Sequence, residues 1–131
     1  MAPTIKGKIL VVDDSPIVTK IVQRVLTAKG YNVVAAKDGH EALQIFHEDN
    51  FALIILDVNM PGIDGFEVAK QLRLQPELKD VVLVAMTGYG EIVARQRSRE
   101  AGFDHHLVKP ADFGKLQEIL ASVSVVLDGN V

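Results

Sequence analysis

The feature that most limits how this chain can fold is Phe51-Ala-Leu-Ile-Ile-Leu-Asp57, an unbroken apolar run that stops at a carboxylate. It passes into Val-Asn59-Met-Pro61-Gly62-Ile-Asp64-Gly65, a loop carrying the residues that turn a chain. An apolar run of this length without alternation reads as a strand covered on both faces, the pattern of a parallel sheet inside an α/β domain. Asp57 then stands at the carboxyl end of a central strand, where open α/β sheets hold their ligands. A carboxylate in that place reads as a nucleophile able to accept a phosphoryl group.

The rest of the chain supplies the sheet. Residues 8–12 form a second buried run ending at Asp13-Asp14, and Ser15-Pro16 reads as the N-cap and first position of a helix. Val18, Ile21, Val22, Val25 and Leu26 follow at helical spacing, and Gly30 ends the helix. Residues 32–36 form a shorter strand. Asp38 and Glu41 make a capping box for a helix whose inward side is Ala42, Ile45 and Phe46. Asp64 and Glu67 repeat the capping pattern ahead of Phe66, Ala69 and Leu72. A fourth strand over 81–86 finishes at Thr87-Gly88. The helix expected over 91–100 carries Arg95, Arg97 and Arg99 with a weak apolar stripe. Residues 104–108 are half apolar, as an edge strand should be, and run into Lys109-Pro110. Asp112 caps a last helix with Phe113, Leu116, Ile119, Leu120 and Val123 on one side.

Five strands alternating with five helices predict a parallel sheet with right-handed crossovers. The first, third and fourth runs are the most apolar and belong in the middle, which predicts a doubly wound five-stranded sheet of order 2-1-3-4-5. The domain is expected over 8–124, with 1–7 as a leader and 125–131 as a tail or linker stub. In 131 residues there is room for one core and none for an attached DNA-binding domain. The net charge of -3 argues against direct nucleic-acid binding. The absence of cysteine removes disulfides and thiolate chemistry. Every apolar run is strand-sized, so neither a signal peptide nor a membrane span is expected, and the location expected is cytoplasmic.

All strand ends of a parallel sheet emerge along one edge. That edge would gather Asp13 and Asp14, Asp57, Thr87 and Lys109. Three carboxylates so close repel unless a cation sits among them, and an oxygen-rich cluster of this kind suits Mg²⁺, with the Asn59 carbonyl as a further oxygen. Asp57 would attack phosphorus, Lys109 would add positive charge, and the Thr87 hydroxyl would donate to a phosphoryl oxygen. Positioning and charge neutralisation are most of what phosphoryl transfer needs.

The sequence resembles the receiver domain of bacterial two-component response regulators along nearly its whole length. The resemblance rests on Val11-Val12-Asp13-Asp14-Ser15, on Leu56-Asp57 with Met60-Pro61-Gly62-Asp64-Gly65, on Thr87-Gly88 and on Lys109-Pro110. Each piece alone is common, since an Asp-Asp pair caps helices and a lone lysine is a solvated charge; four in order at four strand ends are specific. The resemblance implies a flavodoxin-like fold, a phosphoaspartate at Asp57, and Mg²⁺ on Asp13, Asp57 and the Asn59 carbonyl with Asp14 close by through water. It implies a histidine kinase or histidine phosphotransfer protein as donor. It also implies an effector surface on the fourth helix, fifth strand and fifth helix, and a monomer or phosphorylation-dependent dimer. The catalytic set is then Asp57, Thr87 and Lys109, and the loops carry Pro61, Gly62, Gly65, Gly88, Tyr89 and Pro110. Such a protein catalyses its own phosphorylation and slow dephosphorylation, and is a regulator rather than a turnover enzyme.

Two positions depart from the commonest pattern. His106 stands where the family usually has Tyr or Phe, and imidazole is smaller, polar and titrates near neutrality. Tyr89 stands two residues after Thr87, where its ring could hinder the hydrolytic water. The adjacent His105 and His106 point to opposite faces of a strand and make a poor chelate. Rival readings are a receiver excised from a hybrid sensor kinase, a non-phosphorylating interaction module, an aspartyl phosphohydrolase and a flavin binder. The phosphohydrolase reading lacks a second acid at Asn59. Asp13-Asp14 would repel a flavin phosphate.

Overall fold

The computed structural model describes residues 7–48, 50–58, 65–76, 80–87, 92–108 and 113–128. Five strands, β1 (Lys8–Val12), β2 (Val33–Ala36), β3 (Phe51–Asp57), β4 (Val82–Thr87) and β5 (His105–Val108), alternate with five helices. The helices are α1 (Pro16–Ala28), α2 (Gly39–Ile45), α3 (Gly65–Arg73), α4 (Ile92–Ala101) and α5 (Phe113–Asp128). All strand pairs are parallel and the order is β2-β1-β3-β4-β5. This is the doubly wound order that strand apolarity predicts.

Burial explains the order. Every residue of β3 is buried, while β2 and β5 at the margins are largely half-buried. Alternate residues feed two separate cores, because successive side chains on a strand point to opposite faces. Leu10, Val12, Ile54 and Leu56 pack with Phe46, Phe66, Leu72 and Phe103 on the face of α2, α3 and α4. Ile9, Val11, Leu53 and Ile55 pack with Val22, Leu26, Leu116 and Leu120 from α1 and α5 on the other. Each buried Leu or Ile contributes roughly 1.5–3 kcal/mol, so the central strands anchor the acidic residues at their ends.

The helix starts follow the capping pattern. Asp38 accepts from the Glu41 amide at 2.8 Å, and Glu41 in turn accepts from the Lys37 amide at 2.9 Å. Ser15 accepts from the Val18 amide at 3.4 Å ahead of Pro16. The caps placed at Asp64 and Asp112 lie outside the described residues. Helix α5 runs to Asp128, so the first residues of the stretch that reads as a tail or linker stub continue the helix. Among the described residues no helix is long and apolar enough to cross a membrane.

A clip at the far edge of the sheet has no counterpart in the sequence pattern. Arg73, at the end of α3, donates to the Gly102 carbonyl at 2.9 Å and the Val81 carbonyl at 2.7 Å, and pairs with Asp104 at 2.7 Å. Asp104 also accepts from the Leu83 amide at 2.9 Å. Gly102 has φ of 99°, and a Cβ there would sit 2.7 Å from the Arg73 side chain. Replacing Arg73 with Met is expected to lower stability by about 2 kcal/mol, the scale of a lost charged hydrogen-bond set that is partly open to solvent. Lysine should recover little of this, because one ammonium cannot span three acceptors. Urea unfolding of both variants is the measurement, and a lysine variant as stable as the parent would contradict the clip.

Helix α4 has one anchor that its weak stripe does not suggest. The Arg97 guanidinium lies 4.2 Å from the centre of the Phe66 ring, and Phe66 meets Phe103 edge-on at 6.2 Å. Arg97 is exposed, as a solvated helix face requires, yet it also covers an aromatic ring of α3.

Candidate functional site

Parallel strands deliver their last residues to one edge, and the acids arrive there from adjacent strands. Val12 pairs with Leu56, and Asp57 pairs with Met86 one residue before Thr87. Asp57 is the final residue of β3 rather than the first of its loop, and it is 1% exposed. Asp13 follows β1 directly and is equally buried, whereas Asp14 is exposed. One carboxylate oxygen from each of Asp13, Asp14 and Asp57 lies within 4.8 Å of the others. The Ser15 amide donates to Asp13 Oδ1 at 2.8 Å, so the turn into α1 fixes the first acid.

This cluster fits a small divalent cation. Two unit negative charges at such a separation repel by about 3 kcal/mol at an effective dielectric near 20, which a cation reverses. Oxygens on an Mg²⁺ octahedron are about 3 Å apart when adjacent and about 4 Å when opposite, from bonds of about 2.1 Å. Three carboxylates at this spacing could supply oxygens to such a shell, directly or through water. The set is all oxygen, which matches a hard cation.

Thr87 ends β4, is 2% exposed, and its Oγ1 lies 3.0 Å from His106 Nε2. His106 is half-buried on β5 and pairs in register with Ala85. It therefore lies on the same face of the sheet as Thr87, diagonally across one strand gap. His105 faces the other way, opposite Val84, so the two imidazoles diverge.

Gly65 is the other point of close approach. A Cβ on it would lie 2.5 Å from Val58 Cα and 2.8 Å from the Asp57 carbonyl oxygen. The start of α3 is pressed against the backbone that carries Asp57, and only glycine leaves room for that. Sequence reading places Gly65 in the loop as a turn residue; its role as a contact with the acidic strand shows only in three dimensions.

A cleft of about 180 Å³ opens beside the acids, lined by Asp13, Asp14, Pro16, Thr19, Lys37 and Glu41 among others. Its volume falls below the roughly 300–1,000 Å³ of pockets for drug-sized ligands. Two large apolar side chains of α1, the helix that follows Asp13 and Asp14, are open to solvent: Ile17 and Ile21 are 71% and 48% exposed. Of the sequence-predicted residues, Asn59, Pro61, Gly62, Gly88, Tyr89, Lys109 and Pro110 lie outside the described residues.

Comparison with known proteins agrees with the geometry. Residues 9–121 match the family model described as the response regulator receiver domain. A curated relative, "Probable transcriptional regulator ycf27" of Porphyra purpurea, is 40% identical over 118 residues, covering 90% of this chain and 47% of its own length. The chain thus spans about half the length of the curated relatives it matches. Among solved structures, chemotaxis protein CheY4 of Vibrio cholerae aligns with a TM-score of 0.84 at 35% identity, covering 91% of this chain and 99% of that one. Response regulator TrrA of Thermotoga maritima, solved in complex with Mg²⁺ and beryllofluoride, aligns at 0.78 with 36% identity over 90% of this chain and 99% of that one. The receiver domain of Ssk1 from Saccharomyces cerevisiae, solved with the histidine phosphotransfer protein Ypd1, aligns at 0.85 with 25% identity over 95% and 91%. With its sheet order, its converging acids and a family match over most of its length, the chain belongs to the response regulator receiver domains of two-component systems.

Proposed function

We propose that this chain is a phosphorylation-controlled signalling switch in which Asp57 accepts a phosphoryl group from a histidine kinase or histidine phosphotransfer protein. The carrying observation is the meeting of Asp13, Asp14 and Asp57 within 4.8 Å at the strand edge that also presents Thr87. An Asp57 carboxylate oxygen bonds to phosphorus as the phosphorus–nitrogen bond to the donor imidazole breaks, and the electron pair leaves with the imidazole. Asp13, Asp57 and the Asn59 carbonyl would hold Mg²⁺, with Asp14 close by through water. When bound, that ion neutralises charge on the phosphoryl oxygens. Lys109 adds a second positive charge, and Thr87 donates its hydroxyl to the phosphoryl group.

Exposed Ile17 and Ile21 on the helix that follows Asp13 and Asp14 suit the docking of a protein donor, since burying them stabilises the complex. The output follows from Thr87, which is bonded to β5 and borders the loop into α4. Engagement of Thr87 by the phosphoryl group changes the surface of α4, β5 and α5 that an effector reads. The switch unit spans residues 8–124. Helix α5 continues past its end.

Acetyl phosphate or phosphoramidate, with and without Mg²⁺, tests this through the intact mass of the protein. The expected result is a single phosphoryl adduct that needs Mg²⁺, is cleaved by hydroxylamine, and maps to the peptide containing Asp57. A protein that gains no adduct with Mg²⁺ present, or gains it on another residue, overturns the proposal. The pure interaction module of the rival reading predicts no adduct under any of these conditions.

A further inference from the structure

The 3.0 Å contact between Thr87 Oγ1 and His106 Nε2 joins two groups that can each donate or accept. A hydroxyl has one proton and two lone pairs. If Nε2 accepts, the imidazole takes the only proton that Thr87 can offer. If Nε2 carries hydrogen and donates, the proton of Thr87 stays available for a second acceptor. The direction of this bond therefore decides whether Thr87 can serve a phosphoryl oxygen while remaining bonded to β5.

We propose that His106 is a positioning residue for Thr87. In the phosphorylated state His106 Nε2–H donates to Thr87 Oγ1, and this turns the hydroxyl proton toward a phosphoryl oxygen. The inference rests on the phosphoswitch reading of Asp57 and deepens it.

Three observations support the assignment. The register sets His106 opposite Ala85, so its ring reaches Thr87 diagonally on the α3–α4 face without any movement of the backbone. Thr87 is 2% exposed, so water competes poorly for its hydroxyl and an oriented protein partner matters more. An anionic phosphoryl oxygen is also a better acceptor than a neutral imidazole nitrogen, because charge-assisted bonds are roughly twice as strong as neutral ones. The Thr87 proton goes to the stronger acceptor. Oγ1 is then left with a lone pair facing Nε2, which favours the imidazole tautomer that has hydrogen on Nε2. A phenyl ring at position 106 could play neither role.

Beryllofluoride with Mg²⁺ serves as a non-covalent phosphoryl mimic for the test. Long-range proton–nitrogen spectra of ¹⁵N-histidine protein report which ring nitrogen carries hydrogen, and His106→Gln identifies the signal among the four histidines. Addition of Mg²⁺ and beryllofluoride is expected to leave His106 with hydrogen on Nε2. Affinity for beryllofluoride should fall about 3- to 10-fold in His106→Phe, the equivalent of one hydrogen bond. It should return to within about 2-fold of the parent in His106→Gln, whose amide nitrogen reaches the place of Nε2 and donates. In a Thr87→Ala background the His106→Phe change should have no effect.

A His106 ring with bare Nε2 in the beryllofluoride complex overturns the inference. Equal affinity of parent and His106→Phe, or an equal loss in both backgrounds, also overturns it. If His106→Phe fails to fold, the tautomer measured in the parent protein decides alone. Failure of the parent to bind Mg²⁺ with beryllofluoride is a different result. It removes the phosphoswitch reading and this inference with it, whereas binding with unaltered variants removes only the role of His106.

Discussion

Asp57→Asn is expected to abolish the phosphoryl adduct altogether while leaving the protein folded. The amide is nearly the same size as the carboxylate, so the fully buried packing around β3 is preserved. Its oxygen, however, is a poor nucleophile, so the displacement at phosphorus loses its attacking group. The change also removes one of the three charges that lie within 4.8 Å of one another. Mutual repulsion falls, so the variant should unfold in urea no earlier than the parent when Mg²⁺ is absent. The parent should gain stability as Mg²⁺ is added, by the logarithm of ligand concentration over Kd, and the variant should lose most of that gain. Intact mass reads the first effect and urea unfolding with and without Mg²⁺ reads the second. An adduct that persists in Asp57→Asn, or a variant whose Mg²⁺ response equals that of the parent, would contradict the site.

The second large effect is expected at Gly65. On helix propensity alone, Gly65→Ala should raise stability by about 1 kcal/mol, because glycine is the poorer helix former. The structure reverses that sign. The new methyl would lie 2.5 Å from Val58 Cα and 2.8 Å from the Asp57 carbonyl oxygen, both backbone atoms that no side-chain rotation can move aside. Relief needs α3 to lift from β3, and α3 carries Phe66, Val68, Ala69 and Leu72 into the core. A net loss of about 3 kcal/mol is the scale for forced overpacking of this kind. The same displacement shifts the backbone that holds Asp57, so phosphorylation by acetyl phosphate should slow as well. Urea unfolding decides between the two effects, and an alanine variant more stable than the parent would mean that propensity outweighs the close approach.

Where the sequence reading succeeded, a single local rule was enough. Strands β1, β3 and β4 are legible because burial on both faces removes polar alternation, and the short run of small apolar residues in β2 and the half-polar β5 mark them as edges. The caps at Ser15 and Asp38 are legible because the donor lies three residues away in the chain. Convergence of Asp13, Asp14 and Asp57 is legible for the same kind of reason. Parallel strands must end on one side, and the apolar ranking makes β1 and β3 neighbours.

Other features escaped because their partners are far apart in sequence. Arg73 and Asp104 are separated by 31 positions, and nothing in either neighbourhood announces a clip. Arg97 reads as one solvated charge among several, yet the crossing of α3 and α4 sets it over Phe66. His106 reads only as a departure from the Tyr or Phe that the family usually has at its position. The register of β4 with β5 converts it into a direct hydrogen-bond partner.

The order of apolar runs and turns was therefore enough to specify a five-stranded parallel sheet and the edge at which its acids gather, since those follow from covering both faces of a sheet and from strand direction alone. Contacts finer than that were settled by packing. Whether a methyl fits at Gly65, and whether an imidazole reaches a hydroxyl, turns on separations of a few tenths of an ångström between segments distant in the chain. Those separations emerge from how all the helices seat together, and no local residue pattern encodes them.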